Sequence, residues 1–222
     1  DTALRRQSGE RIKKARFLVF APVALAFCSY NIWWTAQAHK PDGVFVSEQM
    51  NKAYFWKVLS KNKSEREWLM LLDSPEALSG KDFSKASIVF KNNFETDSLG
   101  ITSENPIEGK QSLLLTGQQQ FSPNYFLPLN GKTSGALRTT LTFACDPKEW
   151  DWWRQTQAIV QFKKGGNVLK SNMIRLQRQV DGNEVKTISF DTNLPEEAFE
   201  EAVLFFWNAE GDKRIRIDVV EV

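Results

Sequence analysis

A single histidine and two cysteines stand in a chain of 222 residues. With His39 as the sole imidazole, neither a histidine-based triad nor a multi-histidine metal site can be assembled from this chain alone. Cys28 falls in an apolar run and Cys145 lies far from it, so no framework of cysteine pairs holds the fold. Cys145 alternates with Leu141 and Phe143 and reads as a small buried hydrophobe. Phosphate-cradling glycine loops are missing too: Lys163-Lys164-Gly165-Gly166 reads as a hairpin turn with no helix behind it. Setting aside the first forty residues removes seven of 29 Lys and Arg and two of 27 Asp and Glu, leaving 22 against 25. That net −3 gives no broad basic surface, so nucleic acid is not an expected partner. The acidic residues fall mostly at turns and strand edges (Asp181, Glu184, Asp191, Glu196, Glu197), as a solvated rim does. No catalytic residue is assigned, and the chain itself is read as non-catalytic.

What the chain does have is a run without charge, Phe17 to Ala36, FLVFAPVALAFCSYNIWWTA. Its length suits the ~20 residues a helix needs to cross ~30 Å of hydrocarbon. Arg5, Arg6, Arg11, Lys13, Lys14 and Arg16 precede it against Asp1 and Glu10, a net +4, while only His39 and Lys40 follow closely. This bias predicts a cytoplasmic N-terminus and a C-terminal bulk outside the cytosol, as for a protein of a bacterial inner membrane with a periplasmic domain. Trp33 and Trp34 close the run where indoles prefer headgroups, and Pro22 near its start is tolerated or kinks it. Three other readings compete: a buried core helix, a signal peptide cut after Ala36-Gln37-Ala38, and a lipoprotein acylated at Cys28, which the bulky Phe27 disfavours. Beginning at Asp1 rather than Met suits the tail of a longer protein, with this segment as its last membrane helix.

Beyond the span, Lys40-Pro41-Asp42-Gly43 reads as a turn, and Ser47 as the cap of a helix over Glu48–Leu59. Met50, Tyr54 and Val58 give that helix one apolar face, with Lys52, Lys57 and Lys61 around it, so it suits a membrane surface or packing on the next domain. Ser64-Glu65-Arg66-Glu67 is a capping-box pattern before Trp68–Leu72. From Ser87 onward short strands take over. They are expected at Ser87–Lys91, Ser112–Thr116, an edge strand Phe121–Leu129 broken by Pro123 and Pro128, Ala136–Cys145, Gln157–Lys163, Val168–Val180, Val185–Asp191, Ala202–Asn208 and Arg214–Val222. Only Pro195–Glu201 has a helical look among them. The pattern predicts a mainly β fold, an antiparallel two-sheet sandwich of jelly-roll type, after one transmembrane helix and one short amphipathic helix. The expected organisation is residues 1–16 as a basic cytoplasmic flank, 17–38 as the span, 39–84 as a juxtamembrane helical linker and 85–222 as an extracytoplasmic sandwich.

Trp150-Asp151-Trp152-Trp153 is the densest aromatic cluster outside the apolar run. Sugars stack C–H faces on exposed indoles while a carboxylate takes their hydroxyls, so Trp150, Asp151, Trp152 and Trp153 are the candidate carbohydrate platform. A buried plug at one end of the sandwich is the plainer account. Two further stretches, Asn92-Asn93-Phe94-Glu95 with Pro106–Leu113 and Leu204–Asn208 with Ile215–Val222, resemble carbohydrate-binding jelly rolls. That resemblance implies a structural calcium between Glu95 and Asp218, although Val219 stands where the family often has a second Asp; solvated strand-end carboxylates are the alternative. The segment from Trp33-Trp34 through Gln49–Val58 is similar to the tail of polytopic bacterial membrane glycosyltransferases of the dolichyl-phosphate-mannose mannosyltransferase type. It implies an accessory or recognition domain in such a system, contacting the lipid bilayer, a glycan or lipid-linked sugar, or a membrane protein. Two alternatives stay open: an independent tethered or secreted carbohydrate-binding protein, and a structural subunit of an envelope complex.

Overall fold

A 37-residue helix, Thr2–Ala38 (α1), opens the chain and runs on through Pro22, whose missing N–H removes one helical hydrogen bond without ending the element. Its Leu18–Ala38 part, 21 residues with none of the window buried, is long and apolar enough to cross a membrane. Polar side chains within it turn back on the helix: Asn31 Nδ2 donates to the Phe27 carbonyl and Thr35 Oγ1 to that of Asn31, each at 2.9 Å. The computed structural model describes residues 2–40, 43–45, 50–62, 66–73, 76, 81–129, 134–146, 155–180, 184–209 and 213–222. These form two compact units, Asp1–Trp68 and Leu69–Val222.

In the first unit the short helix is α2, Lys52–Val58, shorter than the sequence suggested. Its cap is Asn51, whose Oδ1 accepts from Tyr54 N–H at 2.9 Å, satisfying one of the orphan amides of the first turn; Ser47 lies outside the described residues. Tyr54 and Val58 are fully buried, as the apolar face requires. A single turn, α3 (Arg66–Leu69), follows and tightens into a 3₁₀ turn over Met70–Leu72.

The second unit is a sandwich of two antiparallel sheets. Its strands among the described residues are β1 (Lys91–Asn92), β2 (Ile101–Thr102), β3 (Ser112–Leu115), β4 (Tyr125–Phe126), β5 (Ala136–Cys145), β6 (Thr156–Lys164), β7 (Asn167–Arg175), β8 (Val185–Asn193), β9 (Glu201–Asn208) and β10 (Ile215–Glu221). One sheet runs β2-β3-β10-β5-β8 with β1 also on β10; the other runs β4-β9-β6-β7. Period-two alternation sends Leu137, Leu141, Phe143 and Cys145 of β5 and Ile215 and Ile217 of β10 inward. Ala158, Val160 and Phe162 of β6 and Ala202, Leu204 and Phe206 of β9 face them across the core. β4 lies at a sheet edge, where Pro123 and Pro128 leave no ladder bond unmade.

Three expectations are corrected. Ser87–Lys91 is strand only from Lys91, although Val89 and Phe90 N–H both donate to the Val222 carbonyl. Val168–Val180 stops as a strand at Arg175 and coils into a 3₁₀ turn over Leu176–Gln179, all four residues buried. Pro195–Glu201 is not helical: it is irregular up to Glu200, and Glu201 already belongs to β9. The β6–β7 hairpin is as expected, with Gly165 at φ 55° and Gly166 at φ 77°, the pair of positive angles a type I′ turn requires.

Candidate functional site

A one-residue bulge in β10 sets the first feature. Val219 sits at φ 42°, unusual for a β-branched residue, and the register to β5 slips between Asp218 and Val220. The extra residue keeps both Ile217 and Val220 facing the core and leaves Asp218 beside Thr142 on the opposite face. Asp218 is 1% exposed there, yet its partners are neutral. Oδ2 accepts from Glu108 N–H at 3.1 Å and from Ser112 Oγ at 2.9 Å, and Oδ1 accepts from Val219 N–H at 2.9 Å. Glu95 grips the same loop from another position: its Oε1 accepts from Lys110 N–H at 2.7 Å and Gln111 N–H at 3.3 Å.

Thus both carboxylates that sequence reasoning paired do share one loop, residues 107–112, and both accept backbone donors from it. A Cβ at Gly109, held at φ 61°, would stand 2.0 Å from Glu95 Oε1, so only glycine passes between. Calcium takes six to eight oxygens, and two carboxylates occupied with amides supply few of them. Among the described residues no group of three or more His, Cys, Asp or Glu side chains is placed to hold a metal ion.

Trp150, Asp151, Trp152 and Trp153 lie outside the described residues. The described aromatic surface is elsewhere, on the outer face of the four-stranded sheet. Val203, Phe205 and Trp207 of β9 alternate with the core-facing residues and so lie on the outer face, as do Gln157, Ile159 and Gln161 of β6; Val203 and Ile159 are nonetheless buried there, and the other four are half-buried. Cross-strand register puts Gln157 beside Trp207, Ile159 beside Phe205 and Gln161 beside Val203, with Phe126 on the far side of Val203. Phe121 bridges to Trp207, and the two rings stack 5.7 Å apart at 4°. Phe121 and Phe126 are 56% and 63% exposed, an unusual position for two large apolar rings on one sheet face. Sequence reasoning missed this face because Val203–Trp207 is apolar on both sides of the strand, so its alternation carries no inside–outside signal.

Away from this aromatic end, the described residues 69–73, 76 and 81–83 tie, as a strap, onto the edge strands β7 and β8. Asp73, 3% exposed, receives Arg178 Nη1 at 2.8 Å and Arg175 Nη1 at 3.1 Å on Oδ1, and Arg175 N–H at 3.3 Å on Oδ2. Burial pushes the Asp73 carboxyl above its usual range, with Arg178 and then Arg175 pulling it partly back; burial likewise lowers the Arg175 guanidinium. Glu76 Oε2 next receives Lys170 Nζ at 3.0 Å and Asn193 Nδ2 at 2.6 Å. Lys81 N–H donates to Asp191 Oδ2 at 3.3 Å, while Arg138 donates to both oxygens of Asp191 and to the Lys81 carbonyl. Its guanidinium lies 4.3 Å over the Phe83 ring, and its hydrogen bond to Asp191 holds it firmly protonated. Behind the strap is a cavity of about 420 Å³ between Phe83, Ile88, Leu129, Arg138, Leu194 and Val222.

No protein-family model and no curated protein matches the sequence. Solved structures with a similar course do exist. A family 16 carbohydrate-binding module is 12% identical over 55% of this chain and 83% of its own, at a TM-score of 0.42. The CBM22-1 xylan-binding domain of Paenibacillus barcinonensis Xyn10C is 13% identical over 61% and 92%, at 0.38. Dimeric latent PorU from Porphyromonas gingivalis is 13% identical over 60% of this chain but 12% of that one, at 0.34. At such scores the site is left to be read from the geometry of the chain itself.

Proposed function

We propose that this chain is a non-catalytic glycan-recognition sandwich carried on a membrane anchor. The observation that carries the reading is the outer face of β4-β9-β6, where Phe121 and Phe126 stand exposed beside Trp207, Gln157 and Gln161. Flat apolar rings take the C–H faces of a sugar, and primary amides at fixed spacing take its hydroxyls; a few polar groups set among aromatic surface is the general make-up of a small-ligand site. Rigid strands hold both kinds of group, so little ordering accompanies binding.

The test is affinity electrophoresis of the full chain in detergent through gels containing xylan, β-glucan, mannan or peptidoglycan fragments. At least one glycan should retard the chain, and Phe121→Ala and Phe126→Ala should each weaken retardation about tenfold, as loss of ~1.4 kcal/mol would. Both rings are exposed, so neither change endangers the fold. Unretarded migration in every glycan, or variants that bind like the parent, overturns the reading. A Trp152→Ala variant tests the tetrad separately: loss there alone moves the platform to Trp150–Trp153.

The finer placement follows from the chain's charge. The net +4 before the span supports a cytoplasmic N-terminus with the sandwich on the other side of the membrane, the topology of a bacterial inner-membrane protein with a periplasmic domain. A place in a membrane glycosyltransferase system, facing a lipid-linked sugar, fits that topology. Protease added to sealed vesicles should digest the sandwich only when the outer face of the membrane is exposed; protection in right-side-out vesicles reverses the orientation.

A further inference from the structure

The first unit carries a feature that the recognition face does not use. At the C-terminal end of α1 six aromatic rings interlock. Tyr30 stacks on Trp33 at 5.8 Å, Trp33 meets Trp34 edge-on at 5.5 Å, and Trp34 meets Phe45 edge-on at 5.2 Å. Trp34 also stacks on Phe55 of α2 at 5.7 Å and 10°, and Phe55 meets Trp56 at 5.3 Å. Trp33 Nε1 donates to Asn62 Oδ1 at 3.3 Å. Gly43 folds the connection so tightly onto α1 that a Cβ there would stand 1.7 Å from the Gln37 carbonyl oxygen. The knot therefore fixes α2 at one level, that of the last turns of the apolar helix.

What α2 leaves uncovered is specific. Trp56 is 62% exposed, and Lys52, Lys57 and Lys61 are exposed around it. Among the described residues 50–62 none is acidic, and Lys61 Nζ lies 5.9 Å over the Trp68 ring, which leaves Lys52 and Lys57 as the cations beside Trp56. An indole flanked by exposed ammonium groups on long apolar stems is the chemistry that suits a headgroup layer, the ring among glycerol esters and the cations on phosphates.

We propose that α2 is a headgroup-binding foot: with Leu18–Ala38 across the bilayer, Trp56 enters the interface and Lys52 and Lys57 bind anionic lipid phosphates. The proposal rests on the spanning reading of α1, and the experiment separates the two. The full chain with Cys28→Ser is placed in nanodiscs of phosphatidylcholine alone or mixed with phosphatidylglycerol. A nitroxide is attached through Trp56→Cys or, in a second protein, through Leu25→Cys; buried Cys145 stays unlabelled. Collisions with oxygen, which concentrates in lipid, are compared with those of a water-soluble nickel chelate. Position 25 should be oxygen-dominated in both discs. Position 56 should favour oxygen over nickel several-fold more in the phosphatidylglycerol discs, and Lys52→Gln with Lys57→Gln should abolish that lipid dependence. A label at 56 open to nickel in both discs, while 25 remains in lipid, overturns the foot and leaves the anchor standing. Nickel access at position 25 overturns the anchor and the foot together.

Discussion

Asp73 and Asp218 are both buried aspartates that tie down a segment more than a hundred residues away in sequence, and they do it in opposite ways. Asp73 meets two guanidiniums, at 2.8 and 3.1 Å, from the turn that ends β7. Asp218 meets two backbone amides and a hydroxyl, and no cation among the described residues. The difference lies in what each leaves behind when removed. A carboxylate ringed by neutral donors can be replaced by an amide that keeps the shape and one acceptor. A carboxylate between two buried arginines has no neutral substitute, because two positive charges remain in an enclosed site.

Replacing Asp73 should therefore cost most. Asp73→Ala is expected to lower stability by about 3–5 kcal/mol in urea unfolding, the range found when one partner of a buried ion pair is deleted. A loss below ~1 kcal/mol would mean that water reaches the arginines and that the strap is a surface feature. Next comes Asp218→Ala, which leaves the Glu108 and Val219 N–H groups and the Ser112 O–H without their acceptor, while Ser112 Oγ still accepts from Ile107 N–H, and should cost about 1–3 kcal/mol. Asp218→Asn should recover much of it. Melting either protein with and without a calcium chelator sharpens the contrast. A chelator-induced shift present in the wild type and absent in Asp218→Asn would make the Glu95–Asp218 loop a calcium site; equal melting leaves it a hydrogen-bonded brace. Gly109→Ala, which drives a methyl against Glu95 at a positive φ, should cost about 1–2 kcal/mol by the same measurement.

How much of this could be read in the sequence depends on the range of the interactions. The apolar helix, the Gly165-Gly166 hairpin and the alternation of Ala136–Cys145 are local patterns, and the structure contains each. The sandwich followed from them. The family resemblance pairs Glu95 and Asp218 as calcium ligands; that both accept amides of the loop 107–112 is a long-range arrangement with no local trace. The strap left no local trace: Asp73, Glu76 and Lys81 look like residues of a solvated linker, and their partners Arg175, Lys170 and Asp191 lie about a hundred positions away. Arg175 and Arg178 explain the shortened β7 as well, since a 3₁₀ turn puts residues three apart on one side, where both reach Asp73. Phe121 and Trp207 were hidden for a different reason. Nothing in a strand that is apolar on both faces says which face meets solvent.

The smallest effect concerns pH, and it decides which force governs the strap. Burial raises the Asp73 carboxyl above the ordinary 3.8, outweighing Arg178 and Arg175. The folded chain then holds a proton at a pH where the unfolded chain has released it. Linkage makes the contribution of this group full below about pH 3.8 and progressively lost as pH rises through the folded value. The stability difference between wild type and Asp73→Asn, followed by urea unfolding from acid to neutral pH, should therefore shrink as pH increases. Should it grow instead, the two arginines outweigh desolvation, and the Asp73 site is held by attraction between charges. In that case the contrast with Asp218 is sharper still: one buried carboxylate would be kept ionised by paired cations, the other served by neutral donors alone.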